Sequence, residues 1–208
     1  MRLAIDIGGT FTDIVLENKK ELFTKKVLTS SSHPEVAVIQ GVVELLHENK
    51  INSSDIKMII HGTTLATNSV IERKGAKTCF ITTEGFRDVL DIGYESRFDQ
   101  YDILIEKTMS LVPRKHRYVI EERTDINGNI IKPINTKKFH SLVDTIKNEK
   151  FESIGIGFLH SYANSKNENE LKDFLLKYLP EVEVSISSDV CPEIREYERF
   201  TTTVVNSY

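Results

Sequence analysis

Apolar positions along this chain come in short blocks, and their spacing switches between strand-like and helix-like periods. Leu3, Ala4, Ile5 and Ile7 predict a first strand with Asp6 near its end, and Ile14, Val15 and Leu16 predict a second. Glu21 to Leu28 reads as a third, so the chain opens as an antiparallel meander. Ser32-His33-Pro34-Glu35 then offers a helix entrance with Pro34 suited to the first turn, and Val36, Ile39, Val43 and Leu46 recur at helical spacing on one face. Met58, Ile59 and Ile60 predict a strand ending in His61-Gly62-Thr63-Thr64, followed by a helix from Leu65 to Arg73 that stops before Gly75. Thr78 to Thr82 is another strand.

Tyr118 to Ile131 predicts an antiparallel ribbon turning through Ile126-Asn127-Gly128-Asn129, because Asn-Gly favours a tight hairpin. Thr136 to Lys150 reads as a helix on Phe139, Leu142, Val143 and Ile146, and Ser153 to Leu159 as a buried strand. A helix from about Asn167 to Tyr178 and an alternating strand from Val182 to Ser187 follow. The sum is an α/β fold: a meander, then alternating helices and strands, with a smaller β-containing insertion at roughly 87–133. Glu196 to Tyr208 opens a helix that stops without a capping signal, so a truncated ending is expected there.

Composition narrows the function classes. The 208 residues are 39% apolar and 28% charged, and a chain of this length buries roughly 70% of its unfolded surface, enough for one or two domains. The formal charge of −4 and the shortness of the basic stretches argue against general nucleic-acid binding. No apolar run approaches the ~20 residues needed to cross a bilayer. The chain enters a strand at once, leaving no room for a signal peptide, and a cytoplasmic location is expected. Cys79 and Cys191 match no metal or redox spacing, Cys79 reading as a buried small residue, and the six histidines show no H-x-x-x-H spacing for zinc.

The chemistry concentrates in Asp6-Ile7-Gly8-Gly9-Thr10-Phe11-Thr12-Asp13, which sits between the first two strands. Two residues without Cβ atoms let the backbone bend and bring N–H groups close to an anion. Thr10 and Thr12 add hydroxyls, while Asp6 and Asp13 are hard oxygen ligands of the kind that holds Mg²⁺ directly or through water. No G-x-x-x-x-G-K-[ST] loop occurs and no G-x-G-x-x-G opens a helix, which sets aside the two commoner nucleotide loops. His61, Gly62, Thr63 and Thr64 form a polar junction between strand and helix, read either as a site edge favouring an anion or as a capping cluster. Asn68, one turn farther, faces either the same cleft or water.

Six blocks in order carry a family resemblance: Asp6 to Asp13, His61-Gly62-Thr63-Thr64-Leu65-Ala66-Thr67-Asn68, Gly85-Phe86-Arg87-Asp88-Val89-Leu90, Leu111-Val112-Pro113-Arg114, Leu159-His160-Ser161-Tyr162-Ala163-Asn164 and Glu193-Ile194-Arg195-Glu196-Tyr197-Glu198-Arg199. Together they closely resemble the N-terminal region of the hydantoinase A / 5-oxoprolinase family, and the match spans the whole chain. The resemblance implies an actin/hexokinase-like (ribonuclease H-like) ATPase of two lobes, of which residues 1–190 are the N-terminal domain and 191–208 start the following hydantoinase A domain. It implies ATP and Mg²⁺ as cofactors, a cyclic amide such as a hydantoin or 5-oxoproline as substrate, a hydantoinase B-type partner subunit, and no nucleic-acid or membrane partner. Phosphorylating an amide oxygen turns hydrolysis into expulsion of phosphate, with positioning and Mg²⁺ supplying most of the protein's contribution.

The residue roles implied are Asp6, Asp13 and His61 in catalysis, with Asp6 and Asp13 also toward the metal. Gly8, Gly9, Thr10, Thr12, Thr63, Thr64 and Asn68 would hold the nucleotide phosphates, and Arg87 and Arg97 the substrate. The chain departs from the family pattern at Ile92-Gly93-Tyr94-Glu95, where an arginine is usual in place of Tyr94; Arg97 is the candidate substitute, or else a surface ion-pair partner. The isolated chain is expected to be inactive or nearly so. An acetone/acetophenone-type carboxylase subunit, and a sugar kinase or actin-like ATPase sharing only the phosphate turn, are the alternatives.

Overall fold

A computed structural model describes residues 1–208 except 20, 31, 32, 95–98, 100 and 107. It divides the chain into two compact units, Met1–Lys74 and Gly75–Tyr208.

The first unit is a four-stranded sheet with helices attached. Strands β1 (Arg2–Ile7), β2 (Phe11–Asn18) and β3 (Glu21–Leu28) form the predicted meander, and β4 (Met58–Thr63) adds in parallel to β1, giving the order β3-β2-β1-β4. Helix α1 (Pro34–Glu48) covers one face and α2 (Leu65–Glu72) follows β4 directly. Alternation along β1 and β2 sends Leu3, Ile5, Ile7, Ile14 and Leu16 to one buried face and leaves Asp6 and Asp13 on the other.

Helix α1 forms where predicted but turns a different side to the sheet. Gly41, Leu45 and Leu46 are buried, whereas Val36, Ile39 and Val43 are 56, 63 and 59% exposed. The helix is apolar around much of its circumference, so period alone fits two rotations. Gly41 selects between them: a Cβ there would lie 2.6 Å from Ile14 Cδ1 and 3.0 Å from Val27 Cγ1, and only a glycine allows the helix this close to the sheet. Strand β4 is likewise open, with Met58, Ile59 and Ile60 all more than half exposed.

The second unit is built on a fully parallel sheet. β5 (Thr78–Thr83), β6 (Arg117–Ile120), β9 (Ser153–Gly157) and β10 (Glu183–Ile186) pair in the order β10-β9-β5-β6. Every residue of β5 and β9 is buried, as parallel strands covered on both faces require. Helices α4 (Phe139–Glu149) and α5 (Lys166–Tyr178) cover one face through Phe139, Leu142, Ile146, Leu171 and Leu175. On the other, α7 (Glu196–Ser207) packs Phe200 and Val204 against Phe80 and Val112. Residues 191–208, read from sequence as the start of a following domain, thus pack within this unit.

The ribbon expected over 118–131 is only partly formed. Its far end is a hairpin of β7 (Arg123–Thr124) and β8 (Ile130–Lys132) closed around Asn127-Gly128, but its near end, β6, joins the main sheet in parallel to β5. Arg117 is tolerated at the start of that strand because its buried guanidinium is held by both oxygens of Asp91 at 2.7 and 2.8 Å. Short helices α3 (Val89–Ile92) and α6 (Ser187–Val190) complete the unit.

Candidate functional site: the glycine turn of the first unit

The turn between β1 and β2 is closed by the Gly8 N–H donating to the Phe11 carbonyl at 3.0 Å, and a Cβ on Gly8 would stand 2.9 Å from that same oxygen. The second glycine has Asn68 laid against it: a Cβ on Gly9 would lie 2.8 Å from Asn68 Nδ2, so a side chain there would have to displace that amide. Asn68 reaches it because the β4–α2 junction is latched onto the end of β1. Thr64 N–H and Thr63 Oγ1 both donate to the Ile7 carbonyl, at 3.1 and 3.3 Å, and Thr63 Oγ1 accepts from Leu65 N–H at 3.1 Å to cap α2. Gly8, Gly9, Thr63, Thr64 and Asn68 are therefore brought together. Thr64 holds the N-cap position without a side-chain cap bond, and it is the Thr63 hydroxyl, one residue earlier, that takes the Leu65 N–H.

The two carboxylates are placed differently from each other. Asp6 and Asp13 are register partners across β1 and β2, and Gly62 lies opposite Asp6 on β4, all on the open face. Asp13 is taken by Lys26, whose Nζ reaches its two oxygens at 2.6 and 2.7 Å. Asp6 forms no ion pair among the described residues and stands near Gly62, whose missing Cβ would be 3.6 Å from Asp6 Oδ1. His61 pairs with Ile5, so the two-residue period puts its side chain on the opposite face from Asp6 and Asp13. The structure does not join His61 to them.

Thr10 is exposed at the turn, its carbonyl accepting from Thr29 N–H at 2.9 Å. Thr12 is fully buried, and its hydroxyl shares a 2.9 Å hydrogen bond with that of Thr29, so it braces the turn rather than facing a ligand. Thr29 is a member of this arrangement that pattern reading missed, because a lone threonine at a strand end carries no sequence signal. Among the described residues no group of three or more His, Cys, Asp or Glu side chains could by itself hold a metal ion. One free carboxylate is nevertheless what Mg²⁺ uses when nucleotide oxygens and water supply its other ligands, so Asp6 beside the turn fits that ion.

The remaining candidates lie in the second unit. Arg87 donates from Nη2 to the Arg114 carbonyl at 2.9 Å, and it is Arg114, not Arg87, that grips Asp88 in a two-pronged pair at 2.7 and 3.0 Å. This hydrogen-bonded pairing holds the Asp88 carboxyl below its ordinary range. Arg97 lies outside the described residues. His160 is a hydrogen-bonded histidine, its Nδ1 3.3 Å from Tyr162 Oη.

A buried polar network at the carboxyl ends of the parallel strands was not foreseen. Glu168 accepts from Phe158 N–H, Ser187 Oγ, Ser188 N–H and Ser188 Oγ at 2.6–2.9 Å, and the buried Arg199 donates to Ser187 Oγ, the Glu193 carbonyl and the Phe158 carbonyl. Nearby, Glu122 accepts from Thr83 Oγ1 and from Asn167 Nδ2, and burial raises its pKa. The only hint in the sequence was the charge of these residues next to apolar strands.

Fold and turn together define an α/β protein whose first unit carries a glycine-rich hairpin between its first two strands. The family model for the hydantoinase/oxoprolinase N-terminal region matches residues 2–179, and the chain belongs to that family. It is 40% identical over 212 residues to the uncharacterized protein MJ0964 of Methanocaldococcus jannaschii, covering all of this chain and 31% of that protein. It is 32% identical over 216 residues to the caprolactamase subunit alpha of Pseudomonas jessenii, again covering all of this chain and 31% of the relative. The crystal structure of the ATP-dependent caprolactamase from that organism superposes with a TM-score of 0.86 at 30% identity, over the whole chain and 31% of its own. A nucleotide-free acetone carboxylase shares the fold, with a TM-score of 0.89 at 24% identity over the whole chain and 32% of its own. The chain spans about a third of the length of these proteins. Among the described residues no helix is long and apolar enough to cross a membrane.

Proposed function

We propose that this chain supplies the phosphate-gripping part of an ATP-dependent cyclic-amide hydrolase with an actin/hexokinase-like nucleotide fold. The single observation that carries the reading is the turn itself: Gly8 packed on the Phe11 carbonyl where a Cβ would clash, Asn68 laid against Gly9, and an Asp6 at the strand end without an ion pair among the described residues. Backbone N–H groups of the turn, with Thr10, grip the β- and γ-phosphates, and Asp6 holds Mg²⁺ or a water of its shell. Asp13 acts at one remove, its charge engaged by Lys26. The ATP dependence and amide substrate of the caprolactamase relative support the substrate class, and that relative's being the alpha subunit of its enzyme supports a partner, which we assign to the hydantoinase B type. Arg87 and Arg97 are the substrate-side candidates, and the enzyme works in the cytoplasm.

The test has two parts. Calorimetric titration of the chain with ATP, with and without Mg²⁺, should show Mg²⁺-dependent binding that Asp6→Ala weakens about tenfold, the loss expected of one charged ligand contact. Hydrolysis of ATP by a protein of the relatives' full length, combined with a partner subunit, should then be stimulated by a lactam or hydantoin. Stimulation by ketone plus bicarbonate alone would move the assignment to the carboxylases. Nucleotide binding indifferent to Asp6→Ala would remove the turn from the argument.

A further inference from the structure

The second unit holds a cavity of about 280 Å³ beside the edge strand β6, walled by Arg87, Tyr118, Ile120, Lys138, Leu142 and Thr145 among others. No carboxylate lines it. Arg117, also at its wall, is neutralised by the two oxygens of Asp91, and Asp88 is gripped by Arg114. Among the described residues, no carboxylate lies within ion-pair distance of Arg87 or Lys138, so two cationic side chains line this cavity with only the more distant charges of Asp88 and Glu121 near them.

We propose that this cavity is a binding site for a small aliphatic carboxylate, its anionic oxygens received by Arg87 and Lys138 and its short hydrocarbon body lying against Val119, Ile120 and Leu142. Of the wall hydroxyls, those of Ser141 and Thr145 are engaged, Ser141 Oγ donating to the Lys138 carbonyl at 2.9 Å and Thr145 Oγ1 to the Ser141 carbonyl at 2.8 Å, which leaves the Tyr118 hydroxyl as the neutral donor beside the two cations. The volume lies at the low end for ligand pockets, about 300 Å³, which suits a handful of heavy atoms and not a nucleotide. The guanidinium favours a planar, two-oxygen acceptor over a point charge. The site shares Arg87 with the substrate side proposed above and to that extent rests on that reading, but no residue of the glycine turn takes part, so its test is separate from that of ATP binding.

Calorimetric titration of the whole 208-residue chain with glutarate, butyrate and inorganic phosphate, in a chloride buffer without ATP, tests it. Glutarate and butyrate should bind saturably, with affinity reduced about tenfold in Arg87→Gln and in Lys138→Gln, the scale of one charge-assisted hydrogen bond. Lys177→Gln, a surface control whose ammonium rests over Tyr178, should leave binding unchanged. Arg87 also holds the Arg114 carbonyl, so Lys138→Gln, whose side chain forms no ion pair, keeps the test decisive should Arg87→Gln melt early. Absence of carboxylate binding, or binding untouched by Lys138→Gln, would overturn the site. Phosphate binding tighter than either carboxylate would overturn the ligand class.

Discussion

Replacing Glu168 by glutamine tests whether the second unit is held together by the polar network at its strand ends. The substitution keeps size and shape and exchanges one acceptor oxygen for an NH₂ group. In the structure Oε1 accepts from Phe158 N–H at 2.8 Å and Ser187 Oγ at 2.6 Å, and Oε2 accepts from Ser188 N–H at 2.9 Å and Ser188 Oγ at 2.7 Å. Whichever oxygen becomes nitrogen, one backbone N–H is left facing another donor. A hydroxyl can rotate away from the clash, but a backbone N–H inside the fold cannot. Leaving it unsatisfied costs about 1–3 kcal/mol, and the lost charge assistance on the other bonds adds about 1 kcal/mol, for a total of ~3 kcal/mol. Urea unfolding followed by circular dichroism should show the midpoint falling with an unchanged slope. Ser188→Ala, which removes a single hydroxyl donor at the edge of the network, should cost about 1 kcal/mol or less. If Glu168→Gln unfolds within about 0.5 kcal/mol of the parent, the four-donor arrangement does not stabilise the unit and the argument fails.

Other consequences are open to direct measurement. Gly157→Ala should destabilise the second unit by about 1–3 kcal/mol in the same urea assay, since the new Cβ would stand 2.5 Å from Phe200 Cδ1 and 2.7 Å from Phe80 Cζ in a packed core; a neutral result would mean that α7 does not press on β9. Burial raises the Glu122 pKa in the folded state, so its contribution is fully present below the ordinary carboxyl range and is lost as pH rises through the raised value. Glu122→Gln should abolish that part of the pH dependence, and an unchanged profile in the variant would assign it elsewhere. The Cys79 thiol, pushed up to about 12 by burial, should resist iodoacetamide in the native chain while Cys191 reacts; mass spectrometry should find one label before denaturation and two after. Two labels on the native chain would show that β5 is not sealed.

The strands and helices of this chain were readable because local signals and tertiary demands agree. Pro34 starts α1, Cys79-Phe80-Ile81 and Ile154 and Ile156 mark β5 and β9 as strands whose every residue is covered, and Asn127-Gly128 turns a hairpin. What misled the reading was each case where a distant partner decides. β6 was assigned to a local ribbon since Arg117 gives no sign that Asp91, 26 residues earlier in the chain, will neutralise it inside a sheet. The rotation of α1 was misread because its apolar residues outnumber those the sheet can cover, and the tie is broken by a contact between Gly41 and Ile14.

The glycine turn divides in the same way. Two adjacent glycines between acidic and hydroxyl residues are a local requirement, so the turn and its chemistry stand in the sequence. The roles of the flanking residues depend on register, which no single segment contains. Asp6 and Asp13 look equivalent as a pair of carboxylates around Gly8-Gly9, yet strand pairing puts Lys26 opposite Asp13 and Gly62 opposite Asp6. One acid is therefore charge-balanced by a lysine, while the other borders a residue with no side chain and keeps its oxygens open. Likewise Thr10 and Thr12 are both hydroxyls two residues apart, but a period of two changes to a turn between them, and only Thr12 ends up inside, bonded to Thr29. His61 is separated from the acids by one position along β4, which is enough to place it across the sheet from them. The residues left open for the phosphate role proposed above are in consequence fewer than the motif contains: the two glycines, Thr10, Asn68 and Asp6, with Thr12, Asp13 and Thr63 bound to the scaffold that holds them in place.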